Sequence, residues 1–164
     1  MAVQLGAGQV IASVSTPAKA ELALAAGADA VVLYKDEPLV QRVAELTGGR
    51  GVDRLIEVDL GVNAEADLQM LRPGGQCIAY GSSLTPMPLP FVPLISRNLQ
   101  LKFFIVYHLA ATERALANSV LDRLLRRGVL QHNIAERMAL TDIVSAHERQ
   151  EQGLLSGNLV LRVD

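Results

Sequence analysis

The chain has 164 residues, half of them hydrophobic, with 15 Lys and Arg against 17 Asp and Glu and a formal net charge of −2. This length and apolar share predict one folded unit with its own core, and near-balanced charge without a like-charged block excludes a polyanion-binding surface, so no nucleic acid is expected as a partner. Cys77 is the only cysteine, which excludes an internal disulfide and a thiolate zinc site of the usual four-ligand kind, while Gly, Pro or charge interrupts every apolar run before membrane-span length; no metal, no membrane association and a cytoplasmic location are expected.

In chain order, Met1–Leu5 reads as the end of a helix and Gln9–Val14 as the first strand. Ser15 and Thr16 before Pro17 form a helix-start signal for Pro17–Ala26, and Gly27 stands where a left-handed cap is wanted. Strand Ala30–Leu33, helix Pro38–Thr47, strand Arg54–Val58, helix Ala64–Leu71 and strand Gln76–Tyr80 follow, with Gly48 punctuating the second helix. Ser82–Pro93 carries four prolines and predicts an extended crossover. Strand Leu99–Val106, helix Ala111–Arg127 closed by Gly128, helix Thr141–Gln152 and strand Asn158–Val163 complete the chain. The alternation predicts βαβ units and an α/β fold; six strands suffice for a doubly wound parallel sheet, and no internal domain boundary is visible.

Three segments carry a more specific signal: GADAVVLY at Gly27–Tyr34, TGGRGVD at Thr47–Asp53 and LRPGGQ at Leu71–Gln76. Each alone is ordinary turn chemistry. Taken in this order and spacing, they resemble the medium-chain dehydrogenase/reductase superfamily, and within it the zinc-independent quinone oxidoreductase, or zeta-crystallin-like, branch, over nearly the whole chain. The resemblance implies a Rossmann-type domain with strand order 3-2-1-4-5-6 and a dinucleotide bound across the carboxyl ends of the strands.

In that family the first strand and its Gly-rich loop precede a helix ending in an AVQL-like run, which here is Met1–Leu5. Residues 1–164 are therefore expected to form a partial NADPH-binding Rossmann domain, lacking the usual first strand and Gly-rich loop and without the N-terminal catalytic domain. Gly6-Ala7-Gly8 does not replace the loop, because Ile11 stands where the third glycine belongs and the segment precedes a strand. The missing strand is central in such a sheet, so its two neighbours would face a gap or take a strand from another chain.

No acidic residue ends the strand Gln9–Val14; Ser15 and Lys19 stand there instead, a hydroxyl and a cation that suit the 2′-phosphate of NADPH. The competing reading is a helix cap and a solvated lysine. Tyr34 matches an aromatic position near the same phosphate in the family, and Tyr80, Gly81 and Ser82 match the strand end and glycine turn that pass close to the cofactor. Phe104, Ile105 and Val106 resemble the segment whose main chain faces the nicotinamide carboxamide, or are buried strand residues. Asn63 and Asn158 match cofactor-side positions and could equally serve as caps or turns. His108, His132 and His147 are read as scaffold.

The resemblance implies hydride transfer from NADPH to a quinone or an activated C=C, a small-molecule substrate, with no catalytic residue assigned to this chain. The fragment is expected to be inactive alone. The alternatives are a catalytically dead remnant serving as an oligomerisation or interaction module, and an enoyl-reductase module of a larger synthase. A homodimer through the edge strand 98–104 is also implied.

Overall fold

The computed structural model describes residues 1–153 and 155–163. The chain forms two compact units. The first joins Met1–Val31 to the chain from Leu124 onward, and the second is Val32–Arg123.

In the first unit a short 3-10 turn, Val3–Leu5, stands where the sequence predicts a helix end. Strand β1 (Ile11–Val14) leads into helix α1 (Pro17–Ala25), which Thr16 caps by accepting a hydrogen bond from the Lys19 backbone N–H at 3.4 Å. Proline at the first helical position costs no hydrogen bond there, so Thr16-Pro17 fixes the helix start. Strand β2 (Ala30–Leu33) pairs with β1. At the C-terminal end, strand β6 (Ile134–Ala139) and strand β7 (Asn158–Arg162) run parallel, and helix α6 (Ile143–Glu151) connects them. Arg149 on α6 donates to Glu136 on β6 at 2.6 Å, tying the helix to the strand it follows.

The second unit carries the main hydrophobic core. Helix α2 (Leu39–Leu46) leads through the TGGRGVD segment into strand β3 (Val52–Glu57), helix α3 (Leu60–Met70) and strand β4 (Leu71–Ala79). A short helix α4 (Phe91–Ser96) precedes strand β5 (Gln100–Phe103), and helix α5 (Ala111–Arg126) runs across the boundary between the units. The three strands are parallel in the order β3-β4-β5, with Leu55 opposite Cys77 and Cys77 opposite Leu101. Alternation along each strand turns these residues to one face, where Leu60, Ala64 and Leu68 of α3 cover them together with Leu71. The opposite face carries Ile56, Ile78 and Lys102, and Ile56 is 62% exposed.

The motif residues act as joints of this unit. Thr47 donates to the Val43 carbonyl at 2.8 Å and accepts from the Gly51 N–H at 3.1 Å, closing the turn after α2. Gly51 has φ +82°, and a Cβ there would stand 2.7 Å from the Met70 carbonyl oxygen, so the turn admits only glycine. Asp53 accepts from Arg50 at 3.0 Å and from Arg72 at 2.5 Å, which joins TGGRGVD to LRPGGQ and, through these hydrogen bonds, holds the Asp53 carboxyl below its ordinary range. Arg97 donates to the Leu68 carbonyl at 2.6 Å and to the Leu71 carbonyl, satisfying the open end of α3 with a cation where the helix dipole favours one.

The architecture is α/β with parallel pairing between strands, as expected. Among the described residues the strands pair as β1-β2, β3-β4-β5 and β6-β7. The last strand pairs with β6, a strand that the sequence reading missed. The expected strand Leu99–Val106 ends at Phe103, because Val106–His108 turns into a 3-10 helix. The proline-rich crossover ends earlier than expected, since Pro90 caps α4, and α3 starts one turn before Ala64.

Candidate functional site

Within the second unit the carboxyl ends of three parallel strands converge, which is where open α/β sheets place their ligands. The Tyr80 N–H donates to the Glu57 carbonyl at 3.0 Å, and the Phe104 N–H to the Ala79 carbonyl at 3.3 Å, so pairing continues past the ends of β3, β4 and β5. The Tyr80 and Phe104 rings lie 6.0 Å apart with planes tilted by 41°. Of the expected site residues, Asn63, Tyr80, Gly81, Ser82 and Phe104 all belong to this end of the unit.

Gly81 has a role that needs no cofactor. A Cβ on it would lie 2.2 Å from the Val58 carbonyl oxygen, so glycine is required by the approach of the β3 end to the β4 end. The Leu60 N–H donates to the Gly81 carbonyl at 3.2 Å, placing the start of α3 on the same turn. Ser82 Oγ donates to the Leu84 carbonyl at 2.8 Å and so shapes the loop that follows.

A network of acids organises the turn between β3 and α3. Asp59 accepts from the Ser83 N–H and from Ser83 Oγ, each at 2.7 Å, and these bonds hold its carboxyl below the ordinary range. Glu57 is only 8% exposed; its Oε1 accepts from the Asp59 N–H at 2.5 Å and from Asn63 Nδ2 at 3.0 Å. Asp67, one turn further along α3, is 2% exposed, and its Oδ2 has no hydrogen-bond partner as an ionised carboxylate. Burial, with the charge of Glu57 beside it, pushes the Asp67 carboxyl up to about 7, so it holds its proton to a much higher pH than an ordinary carboxyl does. Cys77 lies in the same core at 0% exposure, and burial pushes its thiol up to about 12, which leaves it unreactive.

Sequence reasoning overlooked this network, although the signal was there. Asp67 stands among Leu60, Ala64, Leu68 and Leu71 at helical spacing, and Glu57 interrupts the apolar run Leu55-Ile56 and Val58. A carboxyl on a core-facing stripe must find a partner or a proton.

Beside the strand ends an open groove of about 650 Å³ is lined by Ile78, Lys102, Phe104, Ile105, His108 and Glu113, among others. Ile105 therefore faces a cavity, and Val106 begins the 3-10 turn and is half exposed. His108, read from sequence as scaffold, lines this groove. Tyr34 lies in the turn after β2 and is 48% exposed.

Ser15, Lys19 and Asn158 belong to the first unit. Lys19 Nζ donates to Ser15 Oγ at 3.2 Å, so the ammonium and the hydroxyl sit together at the N-terminus of α1, while Thr16, not Ser15, caps the helix. Asn158 donates through its backbone N–H to the Asn133 carbonyl at 2.8 Å and through Nδ2 to the same oxygen at 3.4 Å, a tie between the approaches to β6 and β7. Among the described residues no group of three or more His, Cys, Asp and Glu side chains is placed to hold a metal ion, and no helix is long and apolar enough to cross a membrane.

Residues 1–123 match the family model described as "Zinc-binding dehydrogenase". A quinone oxidoreductase of Salmonella typhimurium is 32% identical over 167 aligned residues, covering 96% of this chain and 50% of the relative. A 2-haloacrylate reductase of Burkholderia is 28% identical over 93% of this chain and 47% of its own length. The crystal structure of a 2-haloacrylate reductase superposes on 99% of this chain and 52% of its own with a TM-score of 0.86 at 30% identity. A mycobacterial protein solved in complex with NADPH superposes on 99% of this chain and 52% of its own, with a TM-score of 0.82 at 28% identity. The chain thus spans about half the length of the curated relatives it matches.

Proposed function

The chain belongs to the zinc-binding dehydrogenase family, in its medium-chain, Rossmann-type fold, and from that premise we propose that it is the nucleotide-binding part of an NADPH-dependent oxidoreductase acting on a quinone or an activated C=C. The observation that carries the cofactor choice is the Lys19–Ser15 pair at the head of α1. An ammonium, a hydroxyl and a helix N-terminus together favour a phosphate, and the strand end before them offers no carboxylate to take a ribose diol. The residues present fit a nicotinamide nucleotide in this respect. Among the described residues no three His, Cys, Asp or Glu side chains are placed to hold a zinc ion.

When bound, the cofactor supplies a hydride; the chain's part is to hold and orient it. Ser15 and Lys19 would neutralise the 2′-phosphate. Within the second unit Tyr80, Ser82, Asn63 and the Phe104–Val106 main chain would form the wall at the strand ends, with Tyr34 a further candidate there; within the first unit Asn158 is a further candidate. No residue of this chain is assigned as acid, base or nucleophile.

Calorimetric titration with NADPH and NADH tests the reading. NADPH should bind about tenfold more tightly, and Lys19→Met should abolish that preference while sparing NADH, since a hydrogen bond to a charged group contributes about 1.5–3 kcal/mol. Equal affinity of the unaltered chain for both nucleotides would sink the NADPH assignment.

The second reading, an interaction module, draws on the apolar surface near the outer strand, where Phe103 is 57% exposed. A homodimer through 98–104 would cover it. Leu101 packs against the core, so changing it would unfold the unit before informing on the dimer. Phe103→Lys is the cleaner probe: sedimentation should show a dimer for the unaltered chain and a monomer for the variant, and a dimer that persists lies elsewhere.

A further inference from the structure

The orientation of the Asn63 amide is decided by its neighbour. Glu57 Oε1 receives the backbone N–H of Asp59 at 2.5 Å, and a backbone N–H can only donate, so this oxygen is an acceptor. The Asn63 atom 3.0 Å from the same oxygen must then be the Nδ2 amino group. Asn63 Oδ1 is consequently turned away from Glu57, and among the described residues it receives no hydrogen bond. Asn63 is exposed, whereas Glu57 is buried beneath it. The turn that carries both is held by the Asp59–Ser83 bonds and the Leu60–Gly81 bond. Asp67, on α3, is near enough to Glu57 for the two carboxyls to interact.

We propose that Glu57 is a positioning residue for the nucleotide site: it takes the amide hydrogen of Asn63 and so presents Asn63 Oδ1 as a fixed acceptor for an N–H or O–H of the bound nucleotide at the carboxyl ends of β3 and β4. This rests on the nucleotide-binding reading above and adds to it the source of the acceptor's direction. Such an acceptor suits either the nicotinamide carboxamide, which has N–H donors, or a ribose hydroxyl. An unanchored asparagine would present NH2 and oxygen with similar ease and discriminate neither. A preset acceptor avoids the cost of ordering the side chain at the moment of binding.

A double-mutant cycle tests it on the full chain. Calorimetric Kd values for NADP+ would be measured for the unaltered protein, Glu57→Leu, Asn63→Ala and the double variant. Loss of one hydrogen bond should weaken each single variant about five- to tenfold, and the double variant should be no weaker than Asn63→Ala, because Glu57 acts only through Asn63. Additive losses, or unchanged affinity in Glu57→Leu, would overturn the proposal while leaving the nucleotide reading intact. Titration with the 3-acetylpyridine analogue of NADP+, which lacks the carboxamide N–H, separates the two donors: an Asn63→Ala penalty that vanishes with the analogue assigns the carboxamide, and one that persists assigns a ribose hydroxyl.

The side-chain NH2 resonances of Asn63 give a readout that needs no ligand. In the unaltered protein one proton should be shifted and protected from exchange, and Glu57→Leu should return it to a solvent-like position; Asn63 resonances that do not respond to Glu57→Leu overturn the anchoring. Failure of the unaltered chain to bind NADP+ would sink the nucleotide reading and the ligand role with it, even if the resonances confirmed that Glu57 holds the amide.

Discussion

Gly81→Ala should lower the stability of the chain by more than about 3 kcal/mol and abolish nucleotide binding at the strand ends. The added Cβ would lie 2.2 Å from the Val58 carbonyl oxygen, a backbone atom that no rotamer change can move aside. Both sides of the contact are also pinned: Tyr80 donates to the Glu57 carbonyl, and Leu60 donates to the Gly81 carbonyl. Relief therefore demands that one of these bonds break or that β3 and β4 separate at their ends, and either outcome displaces Asn63 and Tyr80. Gly8→Ala is the matched control, since nothing lies within 4 Å of a Cβ there. Urea unfolding of both variants decides the matter: a Gly81→Ala loss within about 1 kcal/mol of the control would show that the strand ends are looser than the geometry requires.

The same turn shows what could be read from sequence and what could not. The elements from Ile11 to Ala79 follow the alternation of short β-branched runs with amphipathic stretches; Ala30–Leu33 is observed as expected, whereas α3 starts at Leu60 instead of Ala64 and β4 at Leu71 instead of Gln76, so that LRPGGQ opens the strand. The motifs TGGRGVD and LRPGGQ were recognisable because local geometry dictates them: Gly51 needs both its positive φ and its missing Cβ, and the Arg50–Asp53–Arg72 bonds join the two segments. What the sequence obscured was pairing. Ile134–Ala139 reads IAERMA, with two charges among its six residues, and its alternation fits a strand only once Leu159 and Leu161 lie opposite. Pro93 argued against a helix at Phe91–Ser96, yet it stands in the first turn, where its missing N–H costs nothing. Glu57 and Asp67 were obscured differently. They lie ten residues apart, on a strand and a helix, and only the packing of α3 across β3 and β4 makes them a pair.

That pair should make the chain less stable as pH rises. The Asp67 carboxyl has an ordinary value of 3.8 and is raised to about 7 in the folded chain. Between these two values the unfolded chain has released the proton that the folded chain keeps, so the folded state binds more protons and its advantage declines with increasing pH, by up to about 1.4 kcal/mol per unit. Below 3.8 both states are protonated and the advantage is complete; above about 7 both are ionised and the loss is complete. Asp67→Asn removes the titration while keeping the size of the side chain and a donor toward Glu57. The variant's lead in unfolding free energy over the unaltered chain should therefore grow by about 2.6 kcal/mol between about pH 5 and about pH 8, with groups that do not interact with Asp67 cancelling in the difference. A lead that does not change with pH would mean that Asp67 is ionised in the folded state and that another donor satisfies it. Asp67→Leu separates the two roles of the residue: it too removes the titration, but it leaves Glu57 without the neighbour's proton, so it should loosen the Asn63 resonances that Asp67→Asn preserves. A buried acid that costs stability near neutral pH is intelligible if its proton helps to hold Glu57, because the same turn carries the side chains that meet at the carboxyl ends of β3 and β4.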